Sequence, residues 1–134
     1  MQWQIKSPVY GDVIRTKVRF YHHYGIFVSP QRVIQFGLPE DPMRAGEDVK
    51  VVASDIYGFL CGGELEVGVP DRQERKQLRK PSQIVSQAES RLGEGGYHIL
   101  HNNCEHFVNE CAFGEHRAGF VEDLRSGIRK KLNK

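Results

Sequence analysis

The segment from His101 to Gly114, HNNCEHFVNECAFG, holds two of the three cysteines of the chain and two of its six histidines. A thiolate beside an imidazole is a common arrangement in nucleophilic catalysis, and both groups also bind zinc. A third interpretation is structural, because a free cysteine often behaves as a small buried apolar residue. The segment therefore indicates a thiol nucleophile, a metal site or a packed helix.

Cys104 is the candidate nucleophile because it lies at a predicted helix start. Asn102 or Asn103 is a favoured N-cap residue, which puts Cys104 in the first helical turn. Unpaired backbone N–H groups and the positive end of the helix dipole favour a thiolate there. We therefore expect its pKa to lie below the ordinary value of about 8.5. Cys111, two turns later, and Cys61 are expected to be small buried apolar residues.

The spacing argues against zinc. In a helix, Cys104 and His106 point about 200° apart, and Cys104 and Cys111 lie about 10 Å apart along the axis. A tetrahedral zinc site needs all its ligands around one ion. The remaining histidines of this half of the chain are more typical of surface or hydrogen-bonded positions: His98, His101 and His116. We predict neither a metal nor another cofactor.

A base is also needed, and the adjacent pair His22 and His23 on a predicted strand provides two candidates. Adjacent strand residues point to opposite faces of a sheet, so only one of the two can face the helix that carries the thiol. Apolar Ile26 and Val28 share the parity of His22, whereas Phe27 shares the parity of His23. Alternation therefore leaves the choice of base open.

The elements that must position these groups are strands first and helices later. Strand patterns cover GDVIRTKVRF, HYGIFVS, QRVIQFG, VKVVAS and GELEVGV, with one helical turn in ASDIYGFLCGG. The charged run DRQERKQLRK is typical of a solvated loop or short helix. Helices are predicted in PSQIVSQAESRLGEGG, NCEHFVNECAFG and EDLRSGIRKKLN, and GYHILHN is a short strand or loop. This order predicts an α+β fold in which an antiparallel sheet packs against C-terminal helices.

Composition narrows the class of protein. A chain of 134 residues with 39% hydrophobic and 27% charged residues predicts one folded domain. The net charge of +2 gives no reason to expect a nucleic-acid partner. No apolar run is long enough for a membrane span or a signal peptide, so we expect a cytoplasmic protein. Three cysteines cannot form a fully paired disulfide framework.

Four segments together resemble one family: GDVIR, YHHYGIFVS, RVIQFG and NNCEHFVNECAFG. They are similar to segments of the LRAT (lecithin:retinol acyltransferase) family, which includes the HRAS-like suppressor phospholipase/acyltransferases. That family carries His-Trp/Tyr-Ala/Gly-Ile-Tyr/Phe-Val on one strand, Val-Ile-His on the next and Asn-Cys-Glu-His-Phe at a helix start. The resemblance implies a circularly permuted papain-like fold of the NlpC type. It implies a single domain over residues 1–134, with a core at about 11–114.

The resemblance also implies roles for individual residues. Cys104 corresponds to the nucleophile, His23 to the base that faces it, and Gln35 to a third polar residue that is more commonly histidine. The amide oxygen of Gln35 can accept a hydrogen bond from an imidazole N–H and so orient the base. Further residues are expected to support the site or line its pocket: Asn103, His106, Tyr24 and Tyr21.

The implied chemistry is acyl transfer or hydrolysis through a thioester, on a lipid or other acyl substrate. Two alternatives stay open: a cysteine peptidase or amidase that acts on a peptidyl substrate, and a binding domain whose catalysis has lapsed. The C-terminal segment, at about residues 120–132, is predicted to be a basic amphipathic helix. Such a helix either rests on an anionic membrane surface, making the protein peripheral, or docks on its own core.

Overall fold

An antiparallel sheet of six strands forms the centre of the structure, a computed structural model that describes residues 1–18, 21–37, 49–98 and 102–114. The strand order is β1-β6-β2-β3-β4-β5. The strands are β1 (Gln2–Gln4), β2 (Val13–Val18), β3 (Tyr21–Ser29), β4 (Arg32–Phe36), β5 (Val51–Ser54) and β6 (Leu65–Val69). The predicted α+β class and antiparallel sheet are confirmed.

Four helices accompany the sheet in the described part of the chain: α1 (Ile56–Leu60), α2 (Arg72–Gln77), α3 (Pro81–Ser90) and α4 (Cys104–Phe113). The long helices α3 and α4 contact each other and β3, and α4 also contacts β4. The short helix α1 contacts β4 and β5. Pro81 opens α3, as its fixed φ and missing N–H favour, and Gly114 ends α4 with a left-handed φ of 75°.

Strand alternation divides the apolar residues between two cores. The α4-side core joins one parity of the strands to α3 and α4, and includes Val13, Ile26, Ile34, Ile84, Phe107 and Cys111. The α1-side core joins the other parity to α1, and consists of Ile14, Phe27, Val33, Phe59 and Val67. The register fixes this division, because Val13 pairs with Ile26 and Ile26 with Ile34.

Local patterns predicted these elements with one exception. The strand β1 was missed, since its three residues exist as a strand only through pairing with β6. The charged run contains helix α2, which begins with a capping box of Asp71 and Glu74 and buries none of its residues. GYHILHN forms only a bridge between His98 and Asn102 in the part that is described.

The predicted basic helix at about residues 120–132 lies outside the described residues. Within the described ranges, none of the helices is both long and apolar enough to cross a bilayer.

Candidate active site

Cys104 is the first residue of α4, directly after the N-cap residue Asn103. The Asn103 side-chain oxygen accepts hydrogen bonds from the backbone N–H groups of Glu105 at 3.0 Å and His106 at 3.1 Å. In return, Nδ1 of His106 accepts from the backbone N–H of Asn103 at 3.0 Å. This reciprocal cap has histidine where glutamate or glutamine is usual, and it fixes the position of the thiol.

His23 is buried on the side of the sheet that α1 covers. Its Nε2 lies 2.7 Å from Oε1 of Gln35, and its ring centroid lies 5.2 Å from that of Phe59 in α1. His23 is 2% exposed and Gln35 is fully buried. Two buried polar side chains are costly unless they are hydrogen-bonded, and here each satisfies the other.

A further residue extends this polar pair. The Gln35 side-chain Nε2 donates to Oγ of Ser54 at 2.6 Å, and Ser54 Oγ donates to the backbone carbonyl of Asp55 at 2.9 Å. Ser54 is the last residue of β5, and Asp55 caps α1. Sequence reasoning missed Ser54, and the only available signal was a hydroxyl residue next to a helix cap.

Across the β2–β3 ladder, Thr16 pairs with His23 and therefore shares its face of the sheet. The Thr16 hydroxyl is buried, and it has no hydrogen-bond partner among the residues that the structure describes. The α1 side of the imidazole thus contains one polar atom with unused hydrogen-bonding capacity.

The Cys104 sulfur lies against the backbone of β3. The backbone N–H groups of Tyr24, Cys104 and Glu105 lie close to it and favour its thiolate. Tyr24 follows His23, so the thiol contacts the peptide unit that joins these two residues. The β3–β4 pairing starts one residue later, at Gly25. The start of α4 therefore meets β3 immediately outside the β3–β4 ladder.

That His23 is the base that faces the thiol stays a prediction. Alternation gives the α4 side to Tyr24 and Ile26, and it gives the α1 side to His23. The imidazole is hydrogen-bonded to Gln35 through Nε2, and backbone N–H groups of Tyr24 and Glu105 lie close to the thiol.

Burial dominates the protonation of both groups. It raises the pKa of Cys104 to about 11, although the N–H of Tyr24 opposes the shift. It lowers the pKa of His23 to about 4, against the opposing effect of the hydrogen bond that the ring donates to Gln35. The expected low pKa of Cys104 is therefore wrong for this state, because the desolvation of a residue that is 5% exposed outweighs the effect of the helix start on its pKa. At neutral pH both groups are uncharged.

An aromatic wall stands beside the thiol. Tyr24 packs edge-on against Trp3 of β1, with ring centroids 5.7 Å apart. Arg15 lies over the Trp3 ring at 4.2 Å and pairs with Glu66 at 3.0 Å. Burial raises the pKa of the Tyr24 hydroxyl. Trp3 and Arg15 were not predicted, because the strand β1 that brings Trp3 here has no clear pattern.

Tyr97 also lies near the thiol. Its ring meets that of Phe36 at 5.2 Å and 90°. Burial raises the pKa of Tyr97, and negative charge on Cys104 and on Tyr21 adds to the shift. Tyr97 was not predicted, whereas the half-buried Tyr21 was expected to line the pocket.

The other cysteines separate into two classes. Cys111 is fully buried in the α4-side core, which confirms its expected behaviour as a small apolar residue. Cys61 is exposed at the C-cap of α1 with a left-handed φ of 48°, so the expectation that it is buried is wrong. Among the described residues, no three side chains of the ligating types His, Cys, Asp and Glu are grouped to hold a metal ion. His101 and His116 lie outside those residues.

Comparisons with known proteins agree on a single family. The family model described as lecithin retinol acyltransferase matches residues 6–117. Bovine (Bos taurus) lecithin retinol acyltransferase is 29% identical over 132 residues, which cover 84% of this chain and 57% of the relative. Human (Homo sapiens) phospholipase A and acyltransferase 3 is 30% identical over 134 residues, which cover 92% of this chain and 82% of the relative. The chain thus spans little more than half the length of the bovine protein.

Proposed function

Because the chain belongs to the lecithin retinol acyltransferase family, we propose that it catalyses thiol-dependent acyl transfer or hydrolysis on a lipid ester. The observation that carries this proposal is the buried His23–Gln35 hydrogen bond beside the capped helix start that holds Cys104. The names of the relatives, an acyltransferase and a phospholipase A and acyltransferase, support a lipid or acyl substrate.

In the proposed mechanism Cys104 is the nucleophile and His23 the base. With Nε2 of His23 donating to Gln35, Nδ1 carries the lone pair that can take the thiol proton. The sulfur attacks the ester carbonyl, a C–S bond forms, and the carbonyl oxygen becomes an oxyanion. The N–H of Cys104 is available to stabilise that oxyanion.

Collapse of the tetrahedral intermediate breaks the ester C–O bond. The leaving alcohol takes the proton from the His23 imidazolium, and the acyl group stays on Cys104 as a thioester. Water or a second acceptor then attacks the thioester, with His23 again removing a proton. Gln35 accepts from the imidazole Nε2–H throughout, which suits both the neutral and the charged ring.

The two neutral groups define what substrate binding must accomplish. His23 is hydrogen-bonded to Gln35 through Nε2, and in the proposed mechanism its Nδ1 and the thiol form their hydrogen bond in the substrate complex. Catalytic hydrogen bonds are often long in an unliganded enzyme and tighten when substrate binds. We therefore propose that the thiol ionises in step with substrate binding.

The same observation favours a second candidate, a binding domain without catalysis. A thiol with a raised pKa and a base hydrogen-bonded elsewhere is also what a lapsed site would have. The two candidates differ in whether Cys104 ever becomes acylated.

Acylation is tested by intact-mass spectrometry after incubation with phosphatidylcholine vesicles, a fatty acyl thioester and an acyl peptide. We expect one acyl adduct, removed by hydroxylamine, in the wild type and in Cys111→Ala, and none in Cys104→Ala. His23→Asn should reduce the rate of acylation roughly 100-fold or more. Turnover without any dependence on Cys104 would contradict the mechanism. No adduct and no turnover with any of the three donors would favour the binding domain.

A further inference from the structure

Ser54 has no part in the mechanism above. It is nevertheless the first member of a polar line, the hydrogen-bonded series of side chains from Ser54 through Gln35 to His23. Gln35 has two chemically different ends, an acceptor oxygen and a donor NH₂ group. The oxygen meets His23 at 2.7 Å and the NH₂ meets Ser54 at 2.6 Å. Which end faces the base decides which nitrogen of the imidazole carries the proton.

The direction of this line is set at Ser54. Its one hydroxyl proton is donated to the Asp55 carbonyl at 2.9 Å, so Ser54 Oγ can only accept from Gln35. Gln35 must then direct its NH₂ group at Ser54 and its oxygen at His23. An imidazole that meets an oxygen through Nε2 must carry its proton on Nε2. Nδ1 is therefore left with the free lone pair.

The reversed amide would have the opposite effect. Its NH₂ group would meet Nε2, which would have to become an acceptor, and the proton would move to Nδ1. The nitrogen proposed to take the thiol proton would then already hold one. A histidine at position 35 avoids this problem, because an imidazole exchanges donor and acceptor by moving a proton, whereas an amide must rotate.

The hydroxyl itself is held firmly. Asp55, next to Ser54, caps α1 by accepting from the N–H of Gly58 at 2.8 Å. Phe59 of the same helix packs against the His23 ring. Helix α1 thus supports both ends of the line, the hydroxyl that orients the amide and the wall that holds the imidazole.

We propose that Ser54 is a positioning residue: it fixes the amide orientation of Gln35 and so keeps the proton of His23 on Nε2. Its effect on catalysis rests on the proposed function, but its effect on the imidazole does not. An amide at position 35 has distinct donor and acceptor ends, and this is what makes the Ser54 hydroxyl necessary.

The first test measures which ring nitrogen of His23 carries the proton. Long-range ¹H–¹⁵N spectra of the histidine-labelled chain at neutral pH distinguish Nε2–H from Nδ1–H rings. We expect one Nε2–H form of His23 in the wild type and in Ser54→Thr, and a mixture with Nδ1–H in Ser54→Ala. If Ser54→Ala does not fold, Ser54→Cys keeps the shape with a weaker acceptor and should give a smaller mixture. A single Nε2–H form in the folded alanine or cysteine variant would overturn the proposal.

The second test measures the kcat and KM of the Ser54 variants. Ser54→Ala should lower kcat about tenfold with KM unchanged, the change that loss of one buried hydrogen bond supports, while Ser54→Thr keeps the wild-type kcat. In the Gln35→His background, Ser54→Ala should change kcat less than about twofold. An equal loss in both backgrounds would overturn the proposal. A shifted proton in an enzyme with no activity on any donor would refute the proposed function and leave the role of Ser54 intact.

Discussion

Single residues in this protein acquire their chemistry from burial more than from their neighbours in sequence. Asn103, as the residue before a helical pattern, predicted the capped start of α4 that holds Cys104. The raised pKa of Cys104 could not be predicted in the same way. It depends on how tightly Tyr24 and the α4-side core enclose the sulfur, and that enclosure involves residues distant in sequence.

At this scale, His23 makes stability depend on pH. Its pKa is about 4 in the folded protein, compared with about 6.5 in an unfolded chain. Below pH 6.5 the unfolded chain binds the proton more readily, so the free energy of unfolding falls as pH falls from 6.5 to 4. A shift of this size corresponds to roughly 3 kcal/mol. Urea unfolding across this pH range should show the loss, and His23→Asn should show a clearly flatter profile.

The comparison is one of slopes, because His23→Asn also changes the stability at every pH. His98→Asn, which replaces an exposed histidine, is the control for the loss of an imidazole side chain. Identical slopes in wild type and His23→Asn would mean that the buried imidazole titrates normally.

Among the elements, helix α4 and its N-terminal cap are central to the site. Seven of its ten residues are buried, and Asn103 satisfies two of the N–H groups at its start. Loss of such a cap costs about 1–2 kcal/mol. Asn103→Ala should therefore lower the free energy of unfolding by about that amount, as measured by urea denaturation.

A matched control exists on α2, whose Asp71 forms an equivalent capping box but whose residues are all at least partly exposed. Asp71→Ala removes a cap from a helix that contributes no core, so global stability should change less than in Asn103→Ala. If both substitutions cost the same, the cap of α4 has no special part in holding the site.

Hydrophobic periodicity and the residues that start or end helices predicted the elements that carry such local signals, such as α3, which begins at Pro81. They failed for β1, whose existence depends on β6, more than sixty residues away. They also left the side of the sheet that His23 faces undecided, because both parities of β3 contain apolar residues. The two cores on opposite faces of the sheet explain that ambiguity.

At the scale of the whole molecule, Arg91 links the end of α3 to α4. It lies buried just after α3, with its guanidinium 5.0 Å from the centroid of Phe107 in α4. It forms ion pairs with Glu110 of α4 and with Glu94. Arg91→Ala removes this stacking and both ion pairs of a buried guanidinium. We expect it to lower the free energy of unfolding by about 3 kcal/mol, as measured by urea denaturation.

Arg32 provides the matched control. It forms a two-bond ion pair with Glu89, but both side chains are about one-third or more exposed. Arg32→Ala should cost less than about 1 kcal/mol, because exposed ion pairs contribute little. Arg91→Lys should recover only part of the loss, since an ammonium cannot stack as a planar guanidinium does. A full recovery by lysine would show that charge alone links the end of α3 to α4.

The burial of Cys104 also affects how readily its thiol is oxidised under oxidative stress. Peroxides react with thiolates rather than thiols, so a sulfur with a pKa of about 11 is almost inert at neutral pH. The exposed Cys61 lies within reach of such oxidants, whereas Cys104 meets them only when its surroundings open. A nucleophile that ionises only in the presence of its substrate would thus be spared sulfenic and sulfinic damage between turnovers, without any dedicated protective thiol.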